Sequence, residues 1–213
     1  MGNIPQGTKF HGVAPGVETA NKGSALANAQ RDKYTIDDVV NYVGTKGLFS
    51  QTEHSTPVTD TTTETTIVAN GEGSLSIAAN QFAVGNTFMA YLEGNLSSLN
   101  NAQLTIRIKE NGDEIATTGV MTLVATSDNF FELPIRFVVR SVGGAGVASL
   151  MTSGSFNYTK TANNSPEVIS FESLNNTTFD TTVDSTLNVT AEWGAASTDN
   201  SIDTHVLTLQ RIF

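Results

Sequence analysis

The fold is decided in the stretch Ser185-Thr-Leu-Asn-Val-Thr-Ala-Glu-Trp-Gly194. Its apolar and polar residues alternate, which is the period-2 pattern of a half-buried β-strand. The polar segment from Gly194 to Asn200 is typical of a turn. A second strand is predicted from Ile202 onward, and it ends on two large apolar residues, Ile212 and Phe213. Because burying such side chains is favourable, we expect this pair to lie in a core or at a subunit contact.

The same alternation recurs upstream, from about Thr65 onward. Asn111-Gly112 between two alternating runs is a strong hairpin signal, and Asn70-Gly-Glu-Gly73 indicates another turn. The longest apolar face runs from Phe131 to Val139 and contains Pro134, which cannot donate to a ladder and so indicates an edge or a bulge. Roughly eight to ten short strands at this spacing predict an all-β fold, an antiparallel two-sheet sandwich of the jelly-roll type.

Three parts are predicted along the chain. Residues 1–50 form an extended N-terminal arm that lies on another molecule or wraps its own domain, because their scattered apolar residues cannot build a core. Within the arm, a short helix over about 34–43 is predicted from a capping pair, Thr35 and Asp38, and from an apolar stripe. Residues 51–64 are rich in Ser, Thr and acidic side chains and indicate a solvated linker. Residues 65–213 form the β head.

Composition excludes several classes of function. The formal net charge of -10 repels phosphate backbones and argues against nucleic-acid binding. The chain has no cysteine, so neither a disulfide nor a thiolate metal site can form. No apolar run reaches the roughly 18 residues of a membrane span, and the first residues are too polar for a signal peptide. We therefore expect synthesis in the cytoplasm and no membrane insertion.

No catalytic or cofactor motif is present, so we predict no catalytic residue, no cofactor and no metal ligand. The chain contains three histidines, His11, His54 and His205. They lack the spacing of a metal site. Acidic residues cluster at Asp180, Asp184 and Glu192, and glycoside hydrolysis requires a pair of carboxylates. In Thr-rich segments, however, such residues are more often part of the solvated surface.

Two segments resemble a known class of proteins. The closing stretch, Leu187-Asn-Val-Thr-Ala-Glu-Trp-Gly-Ala-Ala-Ser followed by Leu207-Thr-Leu-Gln-Arg-Ile-Phe213, resembles the end of the trimeric jelly-roll heads on fibre and spike proteins of tailed bacteriophages. Those heads are similar in architecture to the tumour-necrosis-factor and complement C1q fold. The opening Ile4-Pro-Gln-Gly-Thr-Lys-Phe10, with Lys33-Tyr-Thr-Ile-Asp-Asp-Val-Val40, is similar to that of phage structural proteins whose first residues attach them to the particle.

The resemblance implies a homotrimer that is displayed on the surface of the virion. It implies that the trimer contact involves Leu207, Leu209, Ile212 and Phe213. It also implies that the N-terminal segment binds a capsid or tail protein through its apolar residues. These anchoring residues are Ile4, Phe10, Val13, Val17, Ile36, Val39, Val40 and Val43.

We therefore expect a structural virion component: a head fibre, a capsid decoration, or a collar or tail spike. The alternative is a receptor- or glycan-binding tip, in which Tyr91, Phe156 and Tyr158 would stack on sugar rings. Phe156 and Tyr158 share one strand face, so a core position is an equally good interpretation. A polysaccharide-degrading enzyme is a third hypothesis, which no motif supports.

Overall fold

The chain divides into two units, Met1–Lys46 and Gly47–Phe213. The computed structural model describes residues Phe10–His11, Lys33–Tyr34 and 47–213 without Asn163. In the first unit, strand β1 (Phe10–His11) pairs antiparallel with strand β2 (Lys33–Tyr34). The helix predicted over 34–43 lies outside the described residues, except for Tyr34, which belongs to β2.

The second unit, which we call the body, consists of strands and loops without a helix in its described residues. Its short strands are β3 (Phe49–Gln51), β4 (Val58–Thr59), β5 (Thr65–Thr66), β6 (Gly71–Gly73) and β7 (Ser76–Ile77). Its long strands are β8 (Thr87–Ser98), β9 (Gln103–Glu110), β10 (Asp113–Thr122), β11 (Thr126–Ser141), β12 (Ser149–Thr159), β13 (Pro166–Asn176), β14 (Ser185–Trp193) and β15 (Ser201–Arg211). Nowhere in the described residues is there a helix with the length and apolarity needed to span a membrane.

The strands of the body form two antiparallel sheets. The smaller sheet has the order β10-β9-β14-β5, and β7 also pairs with β14. The larger sheet has the order β13-β12-β11-β8-β15-β3-β6, and β4 also pairs with β15. Both sheets contribute to one buried core, for example Ile106 and Trp193 from the smaller and Leu92 and Phe131 from the larger. The predicted all-β class and the antiparallel two-sheet arrangement are therefore confirmed.

The two closing strands occupy interior positions in the sheets. Strand β14 lies between β9 and β5, and β15 lies between β8 and β3. The alternation in β14 places Val189, Ala191 and Trp193 in the core, as the pattern predicted. The indole nitrogen of Trp193 donates a hydrogen bond to the carbonyl of Val58 at 2.8 Å, so β14 is also joined to the segment that carries β4.

Two turn predictions have opposite outcomes. Asn111 and Gly112 both have positive φ, 51° and 96°, in a two-residue loop between paired Glu110 and Asp113, so the predicted hairpin is confirmed. The predicted turn at 70–73 is wrong, because residues 71–73 form strand β6 beside β3. A Cβ atom on Gly71 would lie 2.3 Å from the Ser50 carbonyl oxygen. A glycine at this position therefore allows β6 to lie this close to β3.

The linker predicted over 51–64 belongs instead to the body. Gln51, Ser55 and Val58 are buried, and β4 pairs with β15. The polar side chains misled the prediction because two of them make buried hydrogen bonds to Thr204 on β15.

Pro134 lies in an inner strand, so the predicted edge is wrong. Strand β11 is flanked by β8 and β12. The pairs Glu132–Asn157 and Ile135–Gly154 keep one register on either side of the proline, so there is no bulge at that point. A Cβ atom on Gly154 would lie 2.6 Å from the Pro134 carbonyl oxygen, which shows how closely the two strands approach.

Candidate functional site

One end of the body gathers several loops. Because neighbouring strands are antiparallel, the loops 78–86, 142–148 and 177–184 emerge at the same end. Arg211 at the end of β15 pairs with Phe88 near the start of β8, so the residues after β15 emerge there as well.

Backbone hydrogen bonds join these loops to one another. The Thr181 N–H donates to the Gly143 carbonyl at 3.0 Å, and the Gly143 N–H donates to the Thr181 hydroxyl at 2.8 Å. The Asn80 N–H donates to the Thr181 carbonyl at 2.7 Å. The Ala79 N–H donates to the Asp184 carboxylate at 2.9 Å. Thr181 is therefore a buried junction that fixes the three loops as one surface.

Exposed apolar side chains concentrate on this surface. Eleven large apolar side chains are exposed in the described part of the chain, and six of them lie at this end. These six, which we call the apolar end, are Val84, Val142, Val147, Val183, Ile212 and Phe213. Exposed apolar surface held on connected loops is characteristic of a binding surface for another protein or a ligand.

Phe213 is the most exposed of the six, at 76%, yet its backbone is held in place. The Thr87 N–H and the Arg211 Nε donate to the Phe213 carbonyl at 3.0 and 3.1 Å. The Ile212 N–H donates to the Thr87 carbonyl at 2.8 Å. The Phe213 ring lies beside Gly85, where a Cβ atom would be 3.7 Å from it. The exposed ring is thus presented by an ordered segment.

The four residues predicted at a trimer contact fall into two pairs. Leu207 and Leu209 face the core of their own chain, with exposed fractions of 0% and 4%. Ile212 and Phe213 are exposed at the apolar end. Only the second pair has side chains accessible to a partner in this structure.

An apolar pocket lies beneath the apolar end. Its aromatic lining consists of Phe82, Phe88, Phe137 and Phe179, and Leu209 extends it to β15. Phe82 meets Phe179 edge-on with ring centroids 5.1 Å apart, and it meets Phe88 edge-on at 5.9 Å. Edge-to-face contacts of this kind stabilise aromatic clusters. The pocket therefore has a well-packed aromatic wall.

A buried carboxyl group, that of Glu110, also lines this pocket. Its side chain accepts a hydrogen bond from the Asn111 amide at 3.0 Å. Burial raises the pKa of Glu110, and the charges of Asp180 and Asp113 raise it further, while a hydrogen bond with Ser185 acts in the opposite direction. The neutral form of Glu110 is therefore favoured relative to that of an exposed glutamate.

The structure separates Glu192 from Asp184, two of the carboxylates that the sequence singled out. Asp184 lies just before β14, whereas Glu192 lies near its far end, about 25 Å away at the rise of a strand. Glu192 forms an ion pair with Arg107 on the outer face of the smaller sheet. Asp180 accepts hydrogen bonds from the backbone and hydroxyl of Thr182, which lower its pKa. Each carboxylate therefore has a separate local role.

The aromatic residues considered for sugar binding are mostly interior. Phe156 and Tyr158 are buried, with exposed fractions of 0% and 2%, and their rings are 5.8 Å apart. The Tyr158 hydroxyl accepts a hydrogen bond from the Val124 N–H at 2.9 Å. Tyr91 donates to Glu132 at 2.5 Å on the outer face of the larger sheet. The core interpretation is thus correct for Phe156 and Tyr158.

Of the predicted anchoring residues, Phe10 lies in β1. The other seven lie outside the described residues: Ile4, Val13, Val17, Ile36, Val39, Val40 and Val43.

In comparisons with known proteins, no family model, no curated protein and no solved structure matches this chain.

Proposed function

We propose that the protein is a structural component of a bacteriophage virion, such as a head fibre, a capsid decoration, or a collar or tail spike. Residues 1–46 anchor it to the particle, whereas residues 47–50, which the sequence had assigned to the arm, belong to the body through β3. The body associates into a trimeric head through the apolar end. The observation that carries the proposal is the apolar end itself, where Ile212 and Phe213 stand exposed on an ordered backbone. The division of the chain near Lys46 supports separate attachment and display parts.

The energetics of the apolar end favour association. Fully burying a large apolar side chain contributes roughly 1.5–3 kcal/mol relative to leaving it exposed. Ile212 and Phe213 are exposed by 53% and 76%, so burying this pair in each of three subunits gives a substantial driving force. For association, this gain must exceed the entropy that the subunits lose when they are ordered at the contact. The hydrogen bonds around Phe213 reduce that loss, because they already hold its backbone in place.

A jelly roll is the finer form of the sandwich that we propose for the head. Two strand pairs, β8 with β15 and β9 with β14, support a jelly roll. In that fold a long two-stranded ribbon is rolled up, so strands early in the chain pair with strands late in the chain. The pairing of β8 with β11 departs from that arrangement.

Analytical ultracentrifugation of the full chain tests the association. We expect a species of three times the 22.5 kDa chain mass at micromolar concentration. The double substitution Ile212→Ser and Phe213→Ser should yield monomers. Val120→Ser is the matched control, because Val120 is 67% exposed but lies on β10, outside the apolar end. A wild-type monomer, or a trimer that survives the double substitution, contradicts the proposal.

Hydrogen exchange tests the anchoring. Amides in residues 1–46 should be more protected on intact particles than in the isolated protein, because attachment would cover this segment. Equal protection in both states would show that this segment does not serve as an anchor.

A further inference from the structure

Two of the three histidines meet an aspartate on the outer face of the larger sheet. His54 and His205 stack with ring centroids 4.1 Å apart and planes 12° from parallel. The Asp203 carboxylate lies 2.8 Å from the Nε2 atom of His205. One ligand-type atom from each of the three residues lies within 4.8 Å of the others. This arrangement is not visible in the sequence, where His54 lies about 150 positions from its partners.

The backbone beneath this cluster is fixed by a buried polar network. Thr204, between the two ligand-type residues of β15, is fully buried. Its N–H donates to the Ser55 hydroxyl and its carbonyl accepts from the Ser55 N–H, both at 2.8 Å. The Gln51 amide donates to the same carbonyl at 3.0 Å. Because Ser55 is the neighbour of His54, these bonds hold His54 against β15.

A bulge directs His205. The ladder between β15 and β8 changes register between Thr204 and Val206, which makes His205 the extra residue. Opposite it, Gly94 has no room for a side chain, since a Cβ atom would lie 1.9 Å from the Asp203 carbonyl oxygen. Bulges of this kind redirect side chains and are common beside functional sites.

Two imidazoles and one carboxylate are the ligand set of many transition-metal sites. Imidazole nitrogen suits Zn²⁺, Cu²⁺ and Ni²⁺, whereas Ca²⁺ and Mg²⁺ prefer sites made only of oxygen. Ligands at about 2.0–2.1 Å in a tetrahedral Zn²⁺ site lie about 3.4 Å from each other. The ligand-type atoms here lie within 4.8 Å of one another, so a side-chain rotation must bring them closer to reach that spacing.

We propose that His54, Asp203 and His205 form a surface site for a divalent transition metal, with Zn²⁺ as the expected ion. The ion binds between Asp203 and His205 and replaces the direct hydrogen bond that joins them in this structure. The stacked rings direct their nitrogen lone pairs along parallel planes, so His54 tilts out of the stack to complete the site. It has the freedom to do so because its side chain is exposed. Water occupies the remaining coordination position.

Metal binding by untagged, EDTA-treated full-length protein tests the proposal. Equilibrium dialysis against Zn²⁺ should give one ion per chain, and Ca²⁺ and Mg²⁺ should not compete. His54→Ala, His205→Ala and Asp203→Asn should each weaken binding by at least about tenfold. His11→Ala is the matched control and should bind like the wild type. In NMR spectra that resolve imidazole nitrogens, Zn²⁺ should shift the signals of His54 and His205 and leave that of His11 unchanged.

His54→Ala keeps the proposal falsifiable even where substitutions on β15 disturb folding, because His54 is exposed and lies outside any strand. Wild-type affinity in this variant, unshifted His54 and His205 signals, or equal displacement by Ca²⁺ would each overturn the site. The result is independent of trimer formation, since the Ile212 and Phe213 double variant should still bind Zn²⁺.

Discussion

Thr204→Val is the most informative single perturbation of the body. Thr204 is fully buried on β15, and its hydroxyl donates a hydrogen bond to the Ile67 carbonyl. The same hydroxyl accepts a hydrogen bond from the Gln51 side chain at 3.3 Å. Valine preserves the size and branching of the side chain and removes only these two interactions. The substitution therefore measures the polar network that joins the 51–67 segment to the larger sheet.

The expected magnitude follows from the burial of the groups involved. Leaving a buried acceptor such as the Ile67 carbonyl without its donor costs about 1–3 kcal/mol. With a urea dependence of about 2 kcal/mol per molar, a loss of about 2 kcal/mol lowers the unfolding midpoint by roughly 1 M. Unfolding is followed by the fluorescence of Trp193, the only tryptophan, which is fully buried in the native state.

Thr152→Val provides a matched control with the opposite expected sign. Thr152 is also fully buried, but its hydroxyl has no hydrogen-bond partner among the described residues. Replacing it with valine removes a desolvated polar group, so the free energy of unfolding should stay unchanged or rise by about 1 kcal/mol. Both variants are compared with the wild type at one protein concentration. Equal losses in the two variants, or no loss in Thr204→Val, would refute the reasoning.

Two further predictions concern the pocket and the bulge. Because the pKa of Glu110 is raised in the folded state, its contribution to stability is complete below the ordinary glutamate pKa and is lost as pH rises through the folded value. Glu110→Gln should therefore flatten the fall in unfolding free energy as pH rises above the ordinary glutamate pKa of about 4.3. An unchanged pH dependence in urea titrations would count against this assignment. Gly94→Ala should cost about 3 kcal/mol in thermal unfolding because of the clash with the Asp203 carbonyl. Gly144→Ala should cost far less, because its nearest contact would be at 3.9 Å, and similar losses in the two alanine variants would contradict the clash.

Much of the sandwich could be predicted from local pattern, since a strand with one buried face alternates regardless of its partners. The burial of Val189, Ala191 and Trp193 and the hairpin at Asn111 depend only on residues close in sequence. The segment 51–64 could not be assigned in this way. Its polar side chains resemble those of a linker, and their role depends on Thr204, about 150 residues later.

The candidate sites were less accessible to sequence reasoning than the fold. The exposure of Ile212 and Phe213 fits the expectation of a contact surface, but nothing local marks Val84, Val147 and Val183 as their neighbours. Valines isolated in loops carry no periodicity, and only the antiparallel order brings their loops to one end. For the histidine cluster, the Asp-x-His spacing at 203–205 is a usable signal on a strand, because residues two apart share a face.

The interior position of the last two strands has a consequence for how the protein is made. Strand β9 leaves the ribosome roughly 80 residues before β14, and β8 leaves it roughly 110 residues before β15, and these late strands complete their hydrogen bonding. Until β14 and β15 have been synthesised, β9 and β8 each lack one hydrogen-bonded neighbour, so neither sheet is complete in the nascent chain. Pairing between strands that are so far apart in sequence slows folding. It also prolongs the exposure of unpaired strand edges, which promote aggregation.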